Sequence, residues 1–328
     1  MTMLKVLALV VLAIAVLLGV AQFGPSVLGG KEPSLSDHRP APEFTGISAW
    51  LNSPPLTVAN LKGKVVLVQF WTYSCINCLR TLPYVTRWYE QYKDKGFVII
   101  GVHTPEFAFE RQTGNVETAI KRFGITYPVA LDNQYSTWNA YQNQYWPAEY
   151  LIDKSGKIVA TQFGEGNYQQ MEDAIARLVG DGLPDAKAKD PDLSAIGSPE
   201  MYFGAEKNDG AIVSSQDARA GERFFTSPKS VPLDRFALSG TWKLSGDEAT
   251  LSADDGEIVL RFRAPKVNLV AGSPSPQALL ITVDGRPQPS VTVQGSQLYS
   301  VYSGAGGEHE LRVTVPKAGL SAFTFTFG

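Results

Sequence analysis

Cys75 and Cys78 are the only two cysteines in 328 residues, and they stand two residues apart. They close the run Trp71-Thr72-Tyr73-Ser74-Cys75-Ile76-Asn77-Cys78. This spacing permits a disulfide at the first turn of a helix, where one pair can open and close repeatedly. A purely structural bridge fits poorly, because so short a loop contributes little chain-entropy stabilisation. The chemistry expected is therefore thiol–disulfide exchange, with a redox-active disulfide and no further cofactor. The thiolate is the attacking species. At a helix N-terminus it sees the positive end of the dipole and unpaired backbone N–H groups. Cys75 is expected there, exposed and acidic, as the nucleophile. Cys78 lies one turn in, is expected to be more buried, and would resolve a mixed disulfide by attacking Cys75.

The elements that must hold this pair can be read on either side of it. Val65–Trp71 is an unbroken apolar run with β-branched residues, the mark of a strand buried on both faces. A helical pattern follows through Leu79, Leu82, Val85, Trp88 and Tyr89, with Pro83 expected to kink it. Further strands are expected at Phe97–Val102, Val129–Asp132, Glu149–Asp153 and Ile158–Gln162, the last two joined by the turn Lys154–Lys157. Helices are expected at Val116–Phe123, capped by Gly124, at Ser136–Tyr141 and at Met171–Val179. Strands alternating with helices indicate an α/β sheet.

The character changes after residue 200. Short strands are expected at Trp242–Leu244, Ala249–Leu251, Glu257–Ala264, Ala278–Val283, Ser290–Val293, Leu298–Tyr302, Glu308–Val315 and Phe323–Phe327. Turns such as Asp284-Gly285 and Asp255-Gly256 punctuate them. This spacing predicts an all-β sandwich or jelly roll. About two domains suit the length. The expected division is 1–23 signal anchor or signal peptide, 24–43 linker, 44–180 the α/β domain, 181–200 linker and 201–328 the β-domain.

At the N-terminus Lys5 precedes an apolar run from Val6 to Ala21, the pattern of an export signal. Gly19-Val20-Ala21 offers a small-x-small cleavage site. The reading favoured is an anchor over residues 4–23, with residues 24 onward on the periplasmic side of the cytoplasmic membrane. A net charge of −3 provides no basic field for nucleic acid.

A buried strand, WxxxCxxC, a kinked helix and a proline before a later strand together resemble the thioredoxin fold. The chain is similar to the membrane-tethered thioredoxins of cytochrome c maturation, the TlpA/ResA type. It resembles still more the exported C-terminal region of the DipZ proteins, from Pro42 to Gly328. That likeness rests on Phe70–Cys78, Gly101-Val102-His103-Thr104-Pro105-Glu106-Phe107, Trp146-Pro147-Ala148 and the closing Ala322–Gly328. It implies a thioredoxin-like domain followed by a carbohydrate-binding-module-like β-sandwich. It implies Cys75 as nucleophile and Cys78 as resolving thiol. Pro147 would be cis and face the disulfide, and Trp146 would offer backbone hydrogen bonds to an incoming chain. Trp71, Ile76 and Asn77 would shape the site, and Glu106 could shuttle a proton for Cys78 or stand as a solvated loop carboxylate. In DipZ a CcdA-like membrane domain precedes this region, whereas here a single apolar segment does. Electrons would then come from a CcdA/DsbD-type membrane donor in trans and pass to disulfide-bearing exported clients.

Other chemistries stand further off. Thr72 and Cys75 have the TxxC spacing of peroxiredoxins, but Val68 replaces the proline those enzymes want. A copper site from Cys75, Cys78 and His103 has the wrong cysteine spacing for a copper chaperone, and His103 is expected to be a loop residue; no metal is assigned. Tyr202, Phe203, Trp242, Tyr299 and Tyr302 could form a platform for a polysaccharide, although aromatics at alternating strand positions usually fill cores.

Overall fold

The computed structural model describes residues 38–183 and 188–328. The expected anchor lies outside the described residues, and no described helix is long and apolar enough to cross a membrane.

The first domain is a six-stranded sheet in the order β1-β4-β3-β2-β5-β6. Its strands are β1 (Ala49–Leu51), β2 (Val65–Trp71), β3 (Phe97–His103), β4 (Val129–Leu131), β5 (Ala148–Ile152) and β6 (Ile158–Phe163). Four helices accompany them: α1 (Ile76–Tyr92), α2 (Thr113–Phe123), α3 (Ser136–Ala140) and α4 (Tyr168–Val179). The central β2 runs parallel to β3 and antiparallel to β5. Every residue of β2 is buried, which explains its lack of polar alternation. Its side chains still divide by a period of two. Val65, Leu67 and Trp71 join the core under α1 and α4, while Val66, Val68 and Phe70 pack on the opposite face with Trp138 and Tyr141.

The chain enters this domain earlier than residue 44. Ala41 donates to Gly156 O and Ile158 to Arg39 O. The stretch after α4 is an ordered connector where it is described. Asp190 accepts the backbone N–H groups of Asn167 and Tyr168, and Ile196 is already in the core of the second domain.

The second domain is all-β, as expected, with more strands than the turn spacing suggested. They are β7 (Met201–Tyr202), β8 (Gly221–Phe225), β9 (Arg235–Leu244), β10 (Ala249–Leu251), β11 (Gly256–Arg263), β12 (Lys266–Gly272), β13 (Gln277–Val283), β14 (Arg286–Pro287), β15 (Val291–Val293), β16 (Gln297–Ser303), β17 (Glu308–Val315) and β18 (Ser321–Phe327). The sheet curls because β9 serves both layers. Its first half pairs with β11 and its second half with β8 and β10. Gly240, at φ 98°, stands at the change of partner, where a Cβ would approach the Gly256 backbone to 3.2 Å. Phe203, Trp242, Phe236 and Phe325 fill the interior.

The domains share a core. Phe323 of β18 packs on Phe107 at 5.2 Å and Phe109 at 4.7 Å between ring centroids. With Val270 it belongs to the same buried cluster as Cys78 and Trp71. Arg80 of α1 pairs with Glu165 and also donates to Phe327 O at 3.3 Å.

Candidate functional site

Cys75 is the N-cap residue of α1, with φ −78° and ψ 117°, and its carbonyl accepts the first helical bond from Leu79. Cys78 is wholly buried, whereas Cys75 stays partly exposed. The burial order is the one that the spacing predicted, with the first thiol accessible and the second enclosed. The strand β2 delivers the pair to the end of the sheet, and the tripeptide Thr72–Ser74 turns the chain into α1.

The helix N-terminus favours the Cys75 thiolate, and the groups around the thiol work against it. Its thiol is pushed up, first by its contact with the Cys78 thiol, then by burial and by the negative charges of Glu106 and Glu200. The helix dipole is worth at most about 2 kcal/mol, and here the neighbouring Cys78 thiol and burial oppose it.

The Trp146–Pro147 peptide bond is cis, as the resemblance implied. Trp146 O lies 4.0 Å from Cys75 Sγ, within reach of a sulfur contact, and the indole Nε1 donates to Thr104 O at 3.0 Å. Trp71 is fully buried and packs edge-on to His103, so it fills the core rather than lining an opening. The close packing there also explains Gly101: a Cβ would sit 2.9 Å from Tyr127 and 3.0 Å from Trp71 Nε1. Ile76 and Asn77 are half-exposed and line a cleft of about 560 Å³ with Cys75. The far wall belongs to the second domain and includes Ile196, Pro199, Glu200 and Phe327.

His103 is not a loop residue. It ends β3, is fully buried and stacks on Tyr73 at 5.6 Å. Burial pushes its imidazole down to about 3, so the ring is neutral. Its Nε2 lies 3.3 Å from Thr72 Oγ1, which places the TxxC threonine in a hydrogen bond to histidine. No cluster of three or more His, Cys, Asp or Glu side chains is arranged for a metal among the described residues.

Glu106 is no solvated loop carboxylate either. It accepts the Tyr202 hydroxyl of the second domain at 2.7 Å, and Lys207 Nζ bonds its carbonyl at 2.8 Å. Burial first, then Glu200 and Glu110, push its carboxyl up to about 8.

Two carboxyl groups escaped the sequence reading. Glu110 is fully buried and accepts Ser74 Oγ at 2.6 Å and the backbone N–H groups of Glu106 and Phe107 at 2.6 and 3.0 Å. It thus ties the residue before Cys75 to the loop after β3. Its spacing from Glu106, four residues on, was the available signal. Glu149 stands opposite Gln69 in the β2–β5 ladder, on the face that Cys78 packs against. It is 1 % exposed, and burial alone pushes it up to about 8. A glutamate in a strand that otherwise reads as apolar was its signal.

The sugar-platform residues go elsewhere. Phe203 and Trp242 are core, Tyr302 is nearly so, Tyr202 bonds the first domain, and Tyr299 is half-buried with its hydroxyl donating to Gln294 O at 2.6 Å.

Residues 37–177 match the Redoxin family and residues 198–328 the family described as a thioredoxin-like C-terminal domain. DipZ of Mycobacterium tuberculosis is 41 % identical over 302 residues, covering 88 % of this chain and 43 % of its own length. The chain thus spans less than half the length of the DipZ proteins it matches. The thiol–disulfide oxidoreductase ResA of Bacillus thuringiensis is 30 % identical over 138 residues, 42 % of this chain and 76 % of ResA. A solved thioredoxin-like protein in its oxidised form is 30 % identical, with a TM-score of 0.41 over 44 % of this chain and 96 % of that one. With its CxxC at the N-terminus of α1 beside a cis-proline, this chain belongs to the thioredoxin-like thiol–disulfide oxidoreductases and is a homologue of DipZ.

Proposed function

We propose that this chain reduces disulfides of exported proteins through Cys75 and Cys78. The observation that carries the proposal is Cys75 at the N-cap of α1 with Cys78 buried one turn in, beside the cis Trp146–Pro147 bond; a Cys75 thiol pushed up by Cys78 and by burial favours the reducing direction. Strong disulfide donors depend on a stabilised reduced form. A pair whose thiolate gains no such stabilisation gives its electrons away more readily, which favours the reductase over the oxidase.

In the reaction, Cys75 loses its proton and attacks one sulfur of the client disulfide. A mixed disulfide forms and one client thiol leaves. Cys78 then attacks Cys75, the second client thiol leaves, and the Cys75–Cys78 disulfide remains. The carbonyl of Trp146 is placed to bond the backbone of the client segment as it reaches Cys75. Re-reduction falls to a membrane donor of CcdA/DsbD type acting in trans. The apolar run after Lys5 supports anchoring by residues 4–23 and a position outside the cytoplasmic membrane. Cytochrome c maturation or general repair of exported proteins would supply the clients. For the β-domain we infer a docking role rather than polysaccharide binding, because four of the five aromatic residues considered for a platform are in the core or at the domain contact.

The test uses the full chain, reduced with dithiothreitol and freed of it, against a disulfide-bonded peptide from an apocytochrome c haem motif. Each reduced chain is expected to reduce one peptide disulfide, and Cys75→Ser to reduce none. No peptide reduction by the intact chain would refute the proposal.

A further inference from the structure

The cleft beside Cys75 has two walls of unlike charge. On the first-domain wall the charged residues are Arg80 and Glu165, which pair at 2.6 Å. Arg80 also donates to Asn77 Oδ1 and Phe327 O, so its guanidinium is committed. The second-domain wall sets Glu200 and Asp234 among apolar Leu193, Ile196 and Pro199. Glu200 is exposed. Asp234 is half-buried and held in place by Ser198, whose hydroxyl donates to Oδ1 at 2.6 Å. Among the described residues neither carboxyl has an ion-pair partner. Lys207 pairs with Asp247 at 3.3 Å, Arg263 pairs with Glu308 at 2.7 Å, and Arg235 donates to the Asp234 backbone carbonyl at 2.7 Å.

A second feature of that wall is independent of charge. Phe325 and Phe327 belong to the core of the second domain, so Thr324 and Thr326 of β18 face the first domain. Glu200 Oε1 lies 3.5 Å from Thr324 Oγ1 on this face. Thr324 is satisfied, donating to Met201 O at 3.0 Å. Thr326 lines the cleft, is 3 % exposed, and its hydroxyl has no hydrogen-bond partner among the described residues. A buried hydroxyl left unpaired is costly, and the backbone of a bound chain carries both the donor and the acceptor it lacks.

The occupant is fixed by the sulfur. Cys75 lines the same cleft, with its Sγ 4.0 Å from Trp146 O, so whatever fills the cleft lies at the reacting thiol. Apolar side chains, backbone partners on both walls and two carboxylates without cations fit an extended peptide bearing a lysine or arginine. A polysaccharide would want an open aromatic face, and Phe327, the aromatic residue of the lining, is 5 % exposed. We propose that the cleft is the client groove and that its second-domain wall sets specificity: it takes an extended, disulfide-bearing segment with a cationic side chain near the reacting cysteine, paired by Glu200 and Asp234, while Thr326 bonds the segment's backbone. These three are positioning residues supplied from outside the thioredoxin-like domain. The inference rests on the exchange at Cys75 proposed above.

The test uses two disulfide peptides that are identical except for a lysine or a glutamate close to the reacting cysteine. Single-turnover reduction by the reduced full chain is followed at about pH 8, because partial desolvation in the cleft pushes Glu200 up to about 7. The lysine peptide should react about ten-fold faster at about 0.02 M NaCl and about two-fold faster at about 0.5 M. Glu200→Gln and Asp234→Asn should each cut that preference by about three-fold. Asparagine tolerates the left-handed backbone at residue 234, where φ is 59°. Thr326→Val should slow both peptides by about three-fold or more without lowering resistance to urea, because the hydroxyl it removes is unpaired in the fold. A threonine with a merely structural role would lower stability instead. Serine versions of both peptides, which cannot exchange, are tested as protectants of Cys75 against iodoacetamide, and the lysine version should protect at about ten-fold lower concentration. Reduction of both peptides at equal rates, equal protection by their serine versions, or a preference that survives in both carboxyl variants would overturn the groove while leaving the reductase reading intact. If neither peptide is reduced and the lysine version still protects selectively, the groove stands and the reductase reading fails.

Discussion

Glu149→Gln should stabilise this protein more and more as the pH rises. Glu149 is 1 % exposed, its Oε1 has no hydrogen-bond partner among the described residues, and its carboxyl is held at about 8 against an ordinary value of 4.5. Burial is the cause, so the penalty falls on the charged form. Below pH 4.5 the group is protonated in folded and unfolded chains alike and contributes no pH dependence. Between pH 4.5 and about 8 the unfolded chain has released this proton while the folded chain holds it. Stability then falls by about 1.4 kcal/mol for each pH unit. Above about pH 8 both states are ionised, and the loss levels off at about 5 kcal/mol. Glutamine keeps the shape and cannot ionise. Other titrating groups cancel when the two proteins are compared at one pH. Urea unfolding of both at pH 5 and pH 8.5 should therefore show the variant's advantage growing by about 4 kcal/mol. Parallel stabilities across that range would refute a neutral, buried carboxyl beneath the cysteine pair.

The other expectations concern the cysteines and the elements that hold them. Cys78→Ser should leave the client attached to Cys75, so a mixed disulfide accumulates and is seen as an added peptide mass; rapid release would place resolution elsewhere. Glu110→Ala should orphan Ser74 Oγ and the N–H groups of Glu106 and Phe107, at about 1–3 kcal/mol for each buried donor left unsatisfied. Denaturant unfolding checks this, and a change under 1 kcal/mol would contradict it. Phe323→Ala should cost about 3–5 kcal/mol, because the ring packs on Phe107 and Phe109 across the domain contact. A merely local surface effect would show instead as a loss under 1 kcal/mol.

Much of the site was legible because its signals are local in the chain. A fully apolar β2, two cysteines at helix-turn spacing and Pro147 before β5 each mark one element. What escaped depends on contacts between distant segments. His103 reads as part of a polar turn, Gly101–Phe107, and only the β2–β3 register places it at the buried end of a strand. Glu149 acquires its environment from Gln69, eighty positions earlier. Tyr202 meets Glu106 across two domains, a pairing no periodicity announces. In the β-domain, β12 was passed over because Val267–Ala271 is buried without alternation, between β16 and β18. The short β7 is likewise defined only by its partner, β18. The groups that work against a Cys75 thiolate are hidden for the same reason: a helix N-terminus is visible in sequence, and the carboxyl groups gathered near it are not.

The most direct test of the account is the equilibrium reduction potential of the Cys75–Cys78 pair, measured on the full chain in dithiothreitol buffers. A thiol pushed up by Cys78, burial, Glu106 and Glu200 leaves the reduced form without thiolate stabilisation, so the potential should lie near that of thioredoxin, about −270 mV. A potential near that of the strong periplasmic oxidants, about −120 mV, would make the chain a disulfide donor and contradict the direction argued from its active-site carboxylates.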